Sequence, residues 1–408
     1  VSFRLLIKGV FMKKLSLVVS TIMLSSTMFA ASAFDKEVDA PLKKDNIENA
    51  NSIDEAFKNG KIEGSIALFG LTQDNKDQSI KRDFAFGNGN LTLGYNTASF
   101  YGFSLGTQVK GNIKLGEKHK NDRKNEGPFE NNALITQAYL QYSLNEMLLI
   151  KAGRYEGELE WLTDYQQGAI AEITAIPDTT VSLAFSNRKA ESGIDTSEDF
   201  HKPNDLNKGI YIVDIKNESL EGLEINPYYY QIPDVVKFYG LKTSYNLEHF
   251  GAIAQYAKSS LTNEYKTNNS LENGYIAHFE LNGNFEDLTS AVGLIKTSKK
   301  GGADIITSYG DNISPFEDGD KVYTLDARTI YGSLGYSIYD FEFGALYGIT
   351  RYDNATNSGL KEKELNLSAG YNFTKNLNTN IMYVNVDADE ANGETDYNKY
   401  LASVEYKF

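Results

Sequence analysis

Asn398 to Phe408 reads Asn-Lys-Tyr-Leu-Ala-Ser-Val-Glu-Tyr-Lys-Phe. Tyr400, Ala402, Val404, Tyr406 and Phe408 alternate with Lys399, Leu401, Ser403, Glu405 and Lys407. This is a period-two strand with one aromatic and apolar face, and it runs to a terminal aromatic carboxylate. An exposed edge of this kind invites aggregation in a soluble domain. A closed barrel in a membrane has no free edge, because its last strand pairs with its first. The stretch predicts an all-β fold, a transmembrane antiparallel β-barrel of a bacterial outer membrane.

The opposite end agrees. Met12, Lys13 and Lys14 open a basic stretch, Leu15 to Phe29 is an apolar core broken by Ser and Thr, and Ala31-Ser32-Ala33 has the small-x-small pattern of signal-peptide cleavage. Residues 1–33 are thus expected to be an upstream extension and signal peptide, with Met12 as initiator. A retained N-terminal anchor is the alternative. Residues 34–60 form a charged periplasmic segment, and 61–408 the barrel.

Within 34–60, Ile53, Ala56 and Phe57 share one side of a short helix starting after Asn51 or Ser52 and stopping at Gly60. Either a tether or plug at the periplasmic mouth or a flexible tail fits this segment.

Removing residues 1–33 takes away Arg4, Lys8, Lys13 and Lys14 and no acid, so the net charge moves from −15 to −19. Nucleic-acid phosphates would be repelled by such a chain. Without cysteine there is no disulfide framework, thiolate metal site or cysteine nucleophile. Mean hydropathy is −0.41, and no apolar run after the leader could span a bilayer as a helix. Yet Tyr 27 and Phe 22 against Trp 1, with Gly 34 against Pro 7, suit strands and turns around a wet lumen.

After Gly60 the chain divides into eighteen alternating segments, from 61–72 to 397–408. A sixteen-strand layout would need two hairpins to be extracellular decoration. With the N-terminus periplasmic, every second connection is short, as at Asn145-Glu146, Pro177-Asp178, Leu247-Glu248, Gly283-Asn284 and Tyr339-Asp340. The alternate connections hold the long polar stretches 116–132, 189–208, 259–270, 298–325 and 388–396. In the third strand Phe103, Leu105, Thr107, Val109 and Ile113 are expected to face lipid, and Ser104, Gln108, Lys110, Asn112 and Lys114 the lumen. The pattern repeats in the tenth and sixteenth strands and predicts a polar interior around a water-filled channel. Tyr95, Tyr371, Phe373, Tyr406 and Phe408 would form interfacial girdles.

Two segments resemble the OprD-like porins. Ser52-Ile53-Asp54-Glu55-Ala56-Phe57-Lys58-Asn59-Gly60-Lys61-Ile62-Glu63-Gly64 is similar to that family's opening. Ala152-Gly153-Arg154-Tyr155, with Glu160-Trp161-Leu162-Thr163-Asp164-Tyr165-Gln166-Gln167-Gly168, resembles its strand, third loop and next strand, especially in members from epsilon-group proteobacteria. The resemblance implies a passive channel for small hydrophilic solutes and ions, narrowed by inward-folded extracellular loops 3 and 7 and using no cofactor. It also implies a row of basic side chains along the pore. Candidate basic wall residues are Arg154, Arg188, Lys110, Lys114 and Lys242, opposed by Glu158, Glu160 and Asp164 in the third loop. The chain departs from a strong arginine ladder, with seven Arg in all. Its acidic loops point instead toward cations or weak selectivity.

Several alternatives stay open. Arg154 suits a constriction or a loop anchor through Glu156, Glu158 or Asp164, since its planar fork binds carboxylates. Lys110, Lys114 and Lys242 also suit plain lumen lining. Arg328 and Arg351 fall on the outward register at extracellular strand ends, a place for lipopolysaccharide phosphates. Glu317-Asp318-Gly319-Asp320 lacks EF-hand spacing and reads as a solvated loop rather than a metal site. Of the four histidines, only His278 lies on a lumen register, and no HExxH or nucleophile pattern surrounds any of them. An enzyme is therefore not expected, although a barrel hydrolase assembled across strands is a third reading. The runner-up is a non-conducting barrel for surface attachment or structural anchoring. Expected partners are outer-membrane lipids and lipopolysaccharide, small solutes or ions, and the barrel-assembly machinery through the strand ending in Phe408. Monomer and trimer are both open.

Overall fold

The computed structural model describes residues 49–203 and 208–408. The expected leader, 1–33, and the first part of the expected periplasmic segment, 34–48, lie outside the described residues. Eighteen antiparallel strands each pair with their sequence neighbours, and β18 pairs with β1 to close the cylinder. The strands are β1 (Lys61–Asn75), β2 (Phe84–Asn96), β3 (Phe103–Glu117), β4 (Ala133–Leu144), β5 (Leu148–Glu156) and β6 (Tyr165–Ile176). Next come β7 (Thr179–Ala190), β8 (Ile210–Leu220), β9 (Leu223–Ile232), β10 (Val236–Asn246), β11 (Phe250–Leu261) and β12 (Tyr275–Phe285). The set ends with β13 (Leu288–Thr297), β14 (Leu325–Ile338), β15 (Phe341–Asp353), β16 (Leu360–Asn372), β17 (Leu377–Asp387) and β18 (Tyr397–Lys407). No helix among the described residues is long and apolar enough to cross a membrane.

Closure is made by the two ends of the barrel sequence. Ser65 pairs with Lys407 and Asn75 with Tyr397. Beyond the ladder, Phe408 and Gly64 exchange both backbone bonds at 2.9 Å. The terminal strand thus satisfies β1, and neither presents an open edge.

Outward side chains are the apolar ones. Leu68, Leu93, Leu105, Tyr239, Leu294 and Val404 all lie bare on the outer surface, as a lipid-facing belt requires. At the periplasmic rim Tyr371 packs on Phe341 and Phe373 with centroids 4.5 and 4.8 Å apart, and Tyr406 stacks with Phe408. Tyr95 has a different task. Its hydroxyl donates to the Phe57 carbonyl of helix α1 (Ile53–Lys58). Ser52 caps that helix by accepting from Glu55 N at 3.1 Å. Ala56 is the buried residue of α1, while Ile53 and Phe57 stay exposed. Backbone bonds from Ala98 to Ala56 and from Ala50 to Ser99 dock the segment on the β2–β3 turn.

The β12–β13 turn falls at 286–287, three residues later than alternation alone placed it. A helix, α2 (Asn263–Asn269), occupies the preceding extracellular loop and is followed by Leu271–Gly274, so β12 starts only at Tyr275. The main difference from expectation lies inside the barrel. The periplasmic half of the lumen is polar, with Ser104, Gln141, Asp214, Asn226, Ser244 and Ser403 pointing inward. Toward the extracellular end the inward positions turn apolar, as at Ile212, Tyr230, Phe238, Ile276 and Ile295, because loops pack on them.

Candidate functional site: the lumen crossed by the third and seventh loops

The third extracellular loop, 157–164, leaves the wall where β4 and β5 part. Their pairing ends at Ala138 and Arg154. Above it the Arg154 guanidinium takes over, donating to the freed Ile135 carbonyl at 3.0 Å and to Gln167 Oε1 at 3.2 Å. The Phe200 ring of the fourth loop, 191–209, stacks 4.2 Å from the guanidinium carbon. Arg154 occupies the register of outward Ile150 and Ala152, and Glu156, Glu158 and Asp164 are not among these partners. Arg188, opposite Gln167 at a β-bulge, donates to the Phe200 carbonyl at 2.8 Å. The two arginines together hold the base of the third and fourth loops.

From that base the third loop enters the lumen. Trp161 is fully buried, edge-on to Tyr228 and Phe238 with centroids 6.5 and 6.4 Å away. Beside it Glu160 meets the wall, with Lys242 Nζ at 2.7 Å from Oε2 and Gln255 Nε2 donating to Oε1 at 2.8 Å. Glu158 is exposed. Asp164 takes a left-handed φ of 58° and pairs with Lys189 at 3.1 Å.

The seventh loop, 298–324, meets the third. Thr163 N and Gln166 Nε2 both donate to the Tyr309 carbonyl at 3.2 Å. Ile306, Tyr309, Ile313, Phe316 and Val322 join Trp161 and Leu162 in a single apolar cluster against the wall. On its other flank the Asp318 carboxylate accepts from Lys399 Nζ and from Tyr397 OH, the latter at 2.9 Å, while Asp318 N donates to Glu364 Oε1 at 3.0 Å. The loop therefore bonds to the third loop on one side and to β16 and β18 on the other. Its remaining acids are crowded. Burial raises Asp311 despite the bond from Tyr323 OH. Burial and the charge of Asp320 push Asp304 up to about 6.

The other basic candidates separate. Lys110 is buried, donating to the Ser192 carbonyl of the fourth loop at 3.0 Å with its ammonium 5.1 Å from the Tyr165 ring centre. Lys114 is exposed and paired with Glu117 at 2.7 Å. Lys242 is thus brought to Glu160, whereas Arg154, Arg188 and Lys114 are not. Asp318, read from the sequence as part of a solvated loop, is instead tied to the wall, and Glu364 and Lys399 were not singled out as site residues, although the period-two register puts both on the lumen side. The register also gave His278, which lies inside with Nε2 at 2.9 Å from Tyr331 OH. Among the described residues no group of three or more His, Cys, Asp or Glu could hold a metal.

Residues 50–250 match the family model described as "Putative outer membrane protein". No curated protein matches the sequence. Among solved structures, Acinetobacter baumannii OccAB1 superposes with a TM-score of 0.73 at 10% identity, covering 88% of this chain and 99% of its own. Pseudomonas aeruginosa OccK9 (OpdG) gives 0.73 at 10% identity, covering 86% and 99%. For Acinetobacter baumannii OccAB4 the score is 0.70 at 12% identity, covering 86% and 98%. At these identities the likeness is one of fold.

Proposed function

We propose that this bacterial outer-membrane β-barrel, which has the fold of the OprD-like porins, is a channel for passive diffusion of small hydrophilic solutes and ions, narrowed by its third and seventh extracellular loops. One observation carries the reading. Both loops turn into the lumen and bond to each other through Thr163, Gln166 and Tyr309. Fixed across the wall by Glu160–Lys242 and Asp318–Lys399, they form a constriction rather than a loose lid. Buried aromatic packing keeps its width set, and charged groups on its surface sort solutes. Glu158 and Asp304, whose side chains reach solvent from a crowded loop surface, favour cations, while Lys110 and Lys242 are tied to protein partners. Weak cation selectivity follows. No step needs a cofactor or energy coupling.

The apolar fill favours a second reading. Ile194 of the fourth loop packs with Phe86, Phe129 and Val384 across the lumen from the Trp161 cluster, so two loop-filled cores narrow the same end. A barrel closed by them would serve surface attachment or anchoring. Single-channel conductance of the folded chain in a planar bilayer separates the two. Steady ohmic steps with a cation-signed reversal potential support the channel, and silence from a verified folded barrel overturns it.

A further inference from the structure

Four basic residues stand in one unbroken register row on the outer face of the barrel. Lys296 of β13 pairs with Arg328 of β14, Arg328 with Arg351 of β15, and Arg351 with Lys361 of β16. All four share the outward register of Leu294, Ile330, Ile349 and Leu365, and each lies close to the extracellular end of its strand. Directly opposed side chains on neighbouring strands have Cβ atoms ~5 Å apart, and like charges so placed repel. Among the described residues none of the four side chains enters an ion pair. Of the nearby carboxylates, Asp387 pairs with Lys363, Asp389 accepts from the backbone N–H groups of Lys361 and Ala391, and Asp353 accepts from Gly359 N.

Four adjacent cations repel one another, and an external anion would relieve that repulsion. Three inter-strand steps of ~4.8 Å give the row a span of about 14 Å, wider than one phosphate. Two arginines at its centre offer planar forks suited to phosphate oxygens. Directly below lie Leu294 and Ile330, bare to the acyl region. We infer that this row is a binding site for a phosphorylated glycolipid of the outer leaflet, its phosphates on the Arg328–Arg351 pair and its acyl chains on the apolar surface beneath. The site is independent of whether the lumen conducts.

The test uses the full folded chain in a non-ionic detergent, titrated with diphosphorylated lipid A and followed by native mass spectrometry. The variant K296Q/R328Q/R351Q/K361Q is expected to bind at least tenfold more weakly. K237Q/K258Q, which removes two other outward lysines, should bind like the parent. The lipid-free quadruple variant should also melt above the parent, because the repulsion is gone. Should the quadruple variant fail to fold, Arg351→Gln alone is expected to weaken binding at least threefold. Equal binding by parent and row variants, or equal binding of a phosphate-free glycolipid, overturns the proposal. Displacement of lipid A by millimolar inorganic phosphate would also overturn it, and would make the row a site for the free anion.

Discussion

The Glu160 carboxylate lies 2.7 Å from the Lys242 ammonium, joining the tip of the third loop to the inner wall of β10. Glu160 is almost wholly buried, so the pair is shielded from the screening that makes surface ion pairs weak. Removing either charge leaves the other stranded beside an apolar cluster.

Glu160→Gln is therefore expected to loosen the third loop and release a free ammonium into the lumen. The local cost is about 3 kcal/mol, between that of a lost charged hydrogen bond and a broken buried pair. In a salt-gradient bilayer the reversal potential should move toward anions. If Glu160→Gln and the double variant with Lys242→Met give the same shift, the freed ammonium is not its source.

Trp161 is the chain's single tryptophan and is fully buried among Tyr228, Tyr230 and Phe238. Its fluorescence should be blue-shifted and shielded from iodide in the folded barrel. Trp161→Ala removes the largest side chain anchoring the loop, at roughly 3–5 kcal/mol of local packing. Conductance should rise and become noisier while the barrel itself stays folded, which heat-modifiability on gels would check.

Arg154 has all its observed contacts within the loop base, at Ile135, Gln167 and Phe200. Arg154→Ala should lower thermal stability and expose the fourth loop to protease, with little effect on ion selectivity. Lysine should not rescue, because it cannot supply the planar fork. A strong move of the reversal potential toward cations with unchanged protease resistance would place Arg154 in the constriction instead.

Asp304 is expected to give the proposed channel a pH dependence. Crowding and the charge of Asp320 hold its carboxyl at about 6, so it is ionised at neutral pH and neutral near pH 5. Cation selectivity should decline as pH falls between ~7 and ~5, and Asp304→Asn should flatten that decline. Folding stability runs the other way. The unfolded carboxyl loses its proton near ~4, so protonation favours the folded loop and this contribution fades as pH rises from ~4 to ~6. Reversal potentials measured over this range in both proteins decide it.

Asp318→Asn removes the charge that ties the seventh loop to Lys399. Open-state fluctuations should increase, and Lys399→Met should give a similar change. A quiet Asp318→Asn channel of unchanged conductance would show that the apolar packing of Phe316 and Val322 holds the loop alone.

The wall was legible because a strand sends alternate side chains to opposite sides. In a membrane that alternation separates lipid from lumen residue by residue, so Val404 and Ser403 declare their faces without any partner being known. Short turns set the strand count, since only an even count puts Pro177-Asp178 and the long stretch 298–325 at opposite ends of the barrel. Lys242 and Lys110 could be placed inside by the same rule.

What alternation does not encode is where a loop goes. Nothing in Gly157 to Asp164 states that Trp161 will bury itself on Tyr228, or that Thr163 will bond to Tyr309, because these partners lie far apart in sequence and meet only once the barrel is closed. The partners of Arg154 were likewise invisible, since they depend on β5 leaving β4 after Ala138. The sequence alone determined the cylinder and its two faces, through a local period that each strand carries by itself. Tertiary structure alone decided the bore, because the loops enter a space that exists only after eighteen strands have enclosed it.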